Sequence, residues 1–139
     1  MHLDYTAIFL ATVVQFVVGA IWYTPVFGKL WGKIHGFDSL SPDIQKEMMK
    51  KMGPLLAAQF LTTILTSFVL DLFVASLPAG WNIFGETGFF WLGFVVPTQV
   101  SAVLFGGTDP KWVVKKILVM AGGSLACLMS AAAVFSYMR

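Results

Sequence analysis

Charged residues are missing from four long stretches of the chain, and these gaps dominate its pattern of hydrophobic and polar positions. The uncharged stretches are residues 5–28, 52–70, 87–108 and 117–138. A helix needs about 20 mostly apolar residues to cross a bilayer core of about 30 Å. The pattern therefore predicts four transmembrane helices, at about residues 5–25 (span 1), 54–77 (span 2), 85–105 (span 3) and 115–137 (span 4).

The composition supports a membrane location. The chain is 58% hydrophobic and 12% charged, whereas ordinary soluble domains are about 25% charged. In water, a protein this small would expose large apolar patches. We therefore expect a single all-α membrane domain of residues 1–139, folded as a four-transmembrane-helix bundle. The formal charge of +2 is too small to indicate nucleic-acid binding, and the single cysteine, Cys127, excludes an intrachain disulfide.

Lysines predict the orientation. Eight of the nine basic residues lie in the first and third connections, namely Lys29, Lys33, Lys46, Lys50, Lys51, Lys111, Lys115 and Lys116. The second connection carries none. Because cytoplasmic loops are enriched in lysine and arginine, we expect a multi-pass protein of the cell inner (plasma) membrane with both termini on the non-cytoplasmic side.

The first connection, residues 27–52, has helical patterning of its own. Its apolar residues repeat at helical spacing over 27–37, with lysines between them, and Ser41-Pro42 is a typical helix start. This pattern predicts a short amphipathic elbow lying on the membrane surface. The alternative is an elbow that binds a soluble partner.

Polar residues inside the spans are candidates for an intramembrane site. They are Gln15, Gln59, Thr63, Thr66, Asp71, Glu86 and Gln99. A carboxylate such as Asp71 is expensive at membrane depth unless it is paired, protonated or hydrated. Together with Asp4 and Glu86 it could form an acidic vestibule for a cation. Alternatively, Asp4 and Glu86 are helix-start residues, and Asp71 hydrogen-bonds a neighbouring helix.

Small residues recur at four-residue spacing and predict close helix contacts. Span 1 has such a seam through Gly19, and span 3 has Gly93, Pro97 and Ser101. In span 4 the packing residues are Gly122, Gly123, Ala126 and Ser130. Such faces let helix backbones approach closely. We expect the lipid bilayer as surroundings and a homo-oligomer as the assembly.

The run from Gly19 to Trp31 resembles the signature of the family catalogued as domain of unknown function 1761. The matching residues are Gly19, Trp22, Tyr23, Pro25, Phe27, Gly28, Lys29 and Trp31. The resemblance implies a small bacterial four-helix membrane protein and supplies no activity. Physically, Trp22 and Tyr23 are expected to anchor the membrane interface, and Pro25 is expected to end span 1.

Two functions remain open. The polar residues of spans 1 to 3 favour solute or ion permeation by an oligomer. The small-residue faces favour a structural or accessory membrane subunit, whose membrane-protein partner the residues do not name. No span contains histidine, and no metal or cofactor motif is present, so we expect neither an enzyme nor a bound cofactor.

Overall fold

The computed structural model describes residues 2–139, which are largely helical and contain no β-strand. The α-helices in this range are α1 (Tyr5–Ile21), α2 (Gly28–Ile34), α3 (Pro42–Lys50), α4 (Met52–Ser76), α5 (Ile83–Phe90), α6 (Val96–Phe105) and α7 (Val113–Met138). Shorter segments join them: π-helical turns at Trp22–Val26 and Trp91–Val95, and 3₁₀ turns at Phe37–Ser39 and Pro110–Trp112. The all-α prediction is confirmed.

Four helices within residues 2–139 are long and apolar enough to cross a membrane. Their bounds are Tyr5–Val26 (span 1), Met52–Ser76 (span 2, identical with α4), Ile83–Phe105 (span 3) and Pro110–Met138 (span 4). Each lies within a few residues of its prediction, except that span 4 begins earlier. The described residues form more than four helices because a π-helical turn divides span 3 into α5 and α6, and because the elbow folds separately as α2 and α3.

Side-chain caps explain where several helices begin. The carboxylate of Asp4 accepts a hydrogen bond from the backbone N–H of Ala7 at 3.0 Å. Asn82 does the same for Phe84 and Gly85 at the start of α5. The predicted start of α3 is confirmed, since the Ser41 hydroxyl accepts from the Ile44 N–H at 3.4 Å. Each cap satisfies an N–H that has no partner within its helix.

The elbow is held by its own hydrogen bonds. Gly36, with φ of 69°, ends the turn after α2 in the left-handed region that glycine tolerates. Gln45 of α3 then reaches back, and its amide donates to the carbonyls of Phe37 and Leu40 at 2.9 and 3.3 Å. The elbow is therefore a folded unit, as the helical patterning predicted.

The four spans form a curved row in the order α4, α1, α7 and span 3. Extensive contacts join α1 to α7, α1 to α4, and α5 and α6 to α7, whereas α4 makes almost none with α5 or α6 in the described chain. The rings of Phe73 and Phe90 do meet across this gap, 5.6 Å apart. The row of spans is therefore open along one side, between α4 and span 3.

Candidate functional site

Asp71 is fully buried on α4, and its charge is balanced by Arg139 at the end of α7. The guanidinium donates to Oδ1 of Asp71 from Nη2 at 2.6 Å and from Nε at 3.0 Å. The backbone N–H of Asp4 donates to Oδ2 at 3.4 Å, and Nη2 of Arg139 also donates to the carbonyl of His2 at 3.2 Å. This Asp71–Arg139 clasp joins α4, α7 and the residues before α1.

The three carboxylates of the suggested vestibule have different surroundings. Asp71 is paired with Arg139, and Asp4 caps α1. Glu86 is half-buried in the first turn of α5, and its side chain makes no hydrogen bond or ion pair within residues 2–139. The geometry thus favours the alternative in which neighbouring helices hold Asp71.

A polar seam runs between α1 and α4 next to this clasp. The buried amide of Gln15 donates to the hydroxyl of Ser67 at 2.8 Å. Thr63, one turn before Ser67 on α4, donates to the carbonyl of Gln59 at 2.7 Å. Gln15, Thr63 and Asp71 therefore lie along one helix interface, where their polar groups are bonded to protein.

The other predicted polar residues of α4 face outward. Thr66 is exposed and donates to the carbonyl of Thr62 at 3.1 Å, within its own helix. The amide of Gln59, also exposed, lies 3.5 Å from the hydroxyl of Thr63. The polar residues of α4 thus form two rows, one buried and one exposed.

Gln99 belongs to a separate cluster between span 3 and α7. Its amide donates to the carbonyl of Met120 at 3.4 Å, and its oxygen lies 3.2 Å from the hydroxyl of Ser124. The indole N–H of Trp91 reaches both the carbonyl of Ala121 and the Ser124 hydroxyl at 3.0 Å. The sequence held a signal for this cluster that was missed, because a tryptophan in the middle of a span needs a partner for its N–H.

Trp22 of the motif packs against the paired glycines of α7. Its indole donates to the carbonyl of Val119 at 2.9 Å. A Cβ built on Gly122 or Gly123 would lie 2.8 or 2.9 Å from the Trp22 ring. The two glycines predicted to pack therefore do so, and their partner is a tryptophan expected only as an interface anchor. Similarly, a Cβ on Gly19 would lie 3.6 Å from the sulfur of Cys127.

The rest of the motif shapes the turn out of span 1. Span 1 ends at Val26, one residue after Pro25, so the predicted end of the span is confirmed. The span ends in a π-helical turn that contains Pro25, in which the N–H of Phe27 donates to the carbonyl of Trp22 at 2.9 Å. This pattern needs no N–H from the proline. The Tyr23 and Trp31 rings then stack edge to face, 4.9 Å apart.

The remaining motif and packing residues have lesser roles. Gly28 begins α2 against the Tyr23 carbonyl, where a Cβ would lie at 3.2 Å, and Lys29 is exposed. On α7, Ala126 is half-buried, and the Ser130 hydroxyl donates to the carbonyl of Cys127 at 2.7 Å. Within residues 2–139, no three His, Cys, Asp or Glu side chains are grouped so that they could hold a metal ion.

An apolar groove occupies the open side of the helix row, and we name it the α4–span 3 groove. Its volume is about 280 Å³, and its lining residues are Leu65, Thr66, Val69, Leu70, Phe73, Phe90, Val95 and Leu128. Leu70 and Leu128 are buried, whereas Leu65 and Val69 are exposed at the edge. The groove is thus a lateral opening toward whatever surrounds the helices.

Fold and contacts together define a class, namely a helical protein with four helices able to cross a membrane and with polar contacts that link them. The chain matches the family described as "Protein of unknown function (DUF1761)" over residues 6–136 and belongs to it. The resemblance noted in the motif is therefore confirmed over nearly the whole chain. No curated protein and no solved structure matches it.

Proposed function

We propose that this protein is a structural membrane subunit that assembles with copies of itself through the outward face of span 3. The observation that carries the proposal is the contrast in burial between spans. In the most apolar stretch of span 3, 6% of residues are buried, compared with 22% in span 2 and 33% in span 4. A span so little covered by its own chain has a large surface available to another.

The chemistry of that face suits helix association. Gly93, Pro97 and Ser101 are all exposed. A Cβ on Gly93 would meet nothing within 4 Å, so the glycine is not required by packing inside the chain. Because lipid tails are as apolar as leucine, helices in membranes associate mainly through small residues that permit close approach and through hydrogen bonds. Leucine or phenylalanine would serve a purely lipid-facing position equally well.

The test replaces Gly93 with leucine and measures the oligomeric state in nanodiscs by single-molecule photobleaching. Gly93→Leu has room in the single chain, so we expect a folded protein whose oligomer is lost or reduced several-fold. Gly53→Leu is the matched control, since a Cβ on Gly53 also meets nothing within 4 Å. A wild-type protein that is monomeric, or a Gly93→Leu variant that assembles normally, would contradict the proposal.

We also propose that the chain crosses the plasma membrane four times, with its lysine-bearing end in the cytoplasm. Eight lysines and four carboxylates lie at that end, whereas one arginine and three carboxylates lie at the other. This asymmetry supports the orientation through the positive-inside rule. Reporter fusions at Lys50 and Asn82 should report opposite sides of the membrane, and equal signals would overturn the topology.

Solute or ion permeation is the second candidate, and the outward polar row of α4 (Gln59, Thr62 and Thr66) favours it. Since Asp71 is paired with Arg139, such a path would form between copies rather than through one chain. Flux in proteoliposomes, lost in Thr62→Leu, would support this function. A wild-type protein that passes neither ions nor small solutes would exclude it. The expectation that the chain is not an enzyme stays a prediction.

A further inference from the structure

We propose that the α4–span 3 groove binds one acyl chain of an ethanolamine phospholipid, and that Glu86 binds the ammonium group of its headgroup. The inference rests on the membrane insertion proposed above but not on the oligomer. It joins two features that packing within residues 2–139 leaves unexplained, an apolar groove and a carboxylate that has no partner among those residues.

The lining of the groove selects an apolar occupant. Seven of its eight lining residues are aliphatic or aromatic. The eighth, Thr66, already donates its hydroxyl to the carbonyl of Thr62. Apolar cavities stay dry and accept apolar ligands, and an unfilled one forfeits the dispersion contacts of its walls. A flexible hydrocarbon chain, which the surrounding membrane supplies, satisfies these walls.

The position of the groove specifies the leaflet. Its lining residues on α4 run from Leu65 to Phe73, in the half of the helix that ends at Ser76. Each leaflet contributes about 15 Å of hydrocarbon, or about 10 helical residues at 1.5 Å each. A chain that reaches Leu128 on the floor therefore comes from a lipid whose headgroup lies at the Asp71 and Glu86 end.

Glu86 lies in the first turn of α5, one turn before Phe90, which lines the groove. It precedes Phe90 by four residues, and residues at that spacing are neighbours on a helix face. Its half-buried side chain has no partner within residues 2–139. The guanidinium of Arg139 is engaged by Asp71. A primary ammonium supplies the charge and N–H donors that a lone carboxylate needs, whereas an anionic headgroup would be repelled.

The experiment measures bound lipid by native mass spectrometry. The protein is reconstituted into nanodiscs of equal parts phosphatidylethanolamine, phosphatidylcholine and phosphatidylglycerol, then released into mild detergent. We expect the wild-type chain to retain one lipid, with ethanolamine lipid enriched several-fold over choline lipid. Gly93→Leu should retain it equally, because the groove lies within one chain; loss of the lipid in that variant would overturn the proposal.

Val69→Trp fills the groove and should reduce retention at least fivefold. Val17→Trp is its matched control, since Val17 lies on α1 outside the lining and is 49% exposed, compared with 47% for Val69. Circular dichroism checks that both variants fold. If Val69→Trp does not fold, Leu65→Trp, which also lies at the groove edge, is used in its place. Full retention by a folded groove variant would overturn the acyl-chain site.

Glu86→Gln tests the headgroup. The variant should still retain one lipid but lose the preference for ethanolamine over choline. Glu47→Gln, an exposed carboxylate of the elbow, should leave the preference intact. Equal retention of the two lipids by the wild-type chain, or an unchanged preference in Glu86→Gln, would overturn the role of Glu86. Equal signals from the reporter fusions at Lys50 and Asn82 would be a separate result. They would contradict the proposed membrane topology and not the lipid site alone.

Discussion

Spans 1 and 3 flank α7 and meet it through the same device. Each contains a π-helical turn that begins at a tryptophan, and each tryptophan donates its indole N–H to a carbonyl of α7. Trp22 reaches Val119 at 2.9 Å and Trp91 reaches Ala121 at 3.0 Å. Residues two apart lie on nearly opposite sides of a helix, because each residue turns about 100°, so α7 is held from both sides.

The two spans nevertheless differ greatly in burial. In their most apolar stretches, 28% of span 1 is buried but only 6% of span 3. Span 1 lies against Gly122 and Gly123, and the Asp71–Arg139 clasp closes its far end. Span 3 has a polar cluster on α7 and no such clasp among the described residues. Thus the tryptophan hydrogen bond is enough to position each span on α7. The greater burial of span 1 comes from its close packing on the glycines and from the ion pair at its far end.

The largest expected effect comes from opening the clasp on the span 1 side. Arg139→Gln leaves the fully buried Asp71 carboxylate with the Asp4 N–H as its remaining partner. Removing one partner of a buried ion pair costs on the order of 3 kcal/mol. Asp71→Asn should cost less, since the Arg139 side chain is 27% exposed and can turn to water. Thermal unfolding in detergent measures both, and equal losses would contradict the asymmetry.

The second test compares a glycine from each span contact. Gly123→Ala places a Cβ 2.9 Å from the Trp22 ring and should destabilise the chain by about 2 kcal/mol through overpacking. Gly93→Ala has open space around it and should stabilise the helix by about 0.5 kcal/mol. Opposite shifts in the unfolding midpoint, measured in dilute detergent, are expected. Shifts of the same sign would contradict the difference in packing between the two spans.

The third test compares the two tryptophans directly. Trp22→Phe removes the bond to Val119 and leaves a space over the paired glycines, for a loss of about 2 kcal/mol. Trp91→Phe removes the bonds to Ala121 and Ser124 but opens no space over paired glycines, and it should cost about 1 kcal/mol. Unfolding midpoints of the two variants, each checked for native helicity, rank them. A larger loss at Trp91 would reverse our view of which span is better anchored.

The smallest expected effect lies in the polar cluster of span 3. Ser124→Ala removes the hydroxyl shared by Trp91 and Gln99. Hydrogen bonds between membrane helices contribute about 0.6 kcal/mol on average. A double-mutant cycle with Gln99→Leu should give a coupling of that order. A coupling well above 1 kcal/mol would show that this cluster holds span 3 more firmly than its burial implies.

The candidate site was predictable in its residues but not in its pairings. Asp71 stood out because a carboxylate inside an apolar run is costly, and Gln15 because it is a polar residue inside span 1. Their partners, Arg139 and Ser67, lie 68 and 52 positions away along the chain. No periodicity links such distant positions, so neither pair could be read from the pattern. The role of Trp22 was missed for the same reason.

The sequence by itself determined the four apolar spans, the helical elbow, the cap at Ser41 and the family membership. These properties depend on local composition, hydrophobic length and short motifs, which a chain carries before it folds. Only the tertiary structure decided the order of the helix row, the pairing of Asp71 with Arg139, the packing of Trp22 on Gly122 and Gly123, and the groove beside span 3. These depend on which helix faces meet, and apolar faces in a membrane choose partners by shape rather than by hydrophobicity.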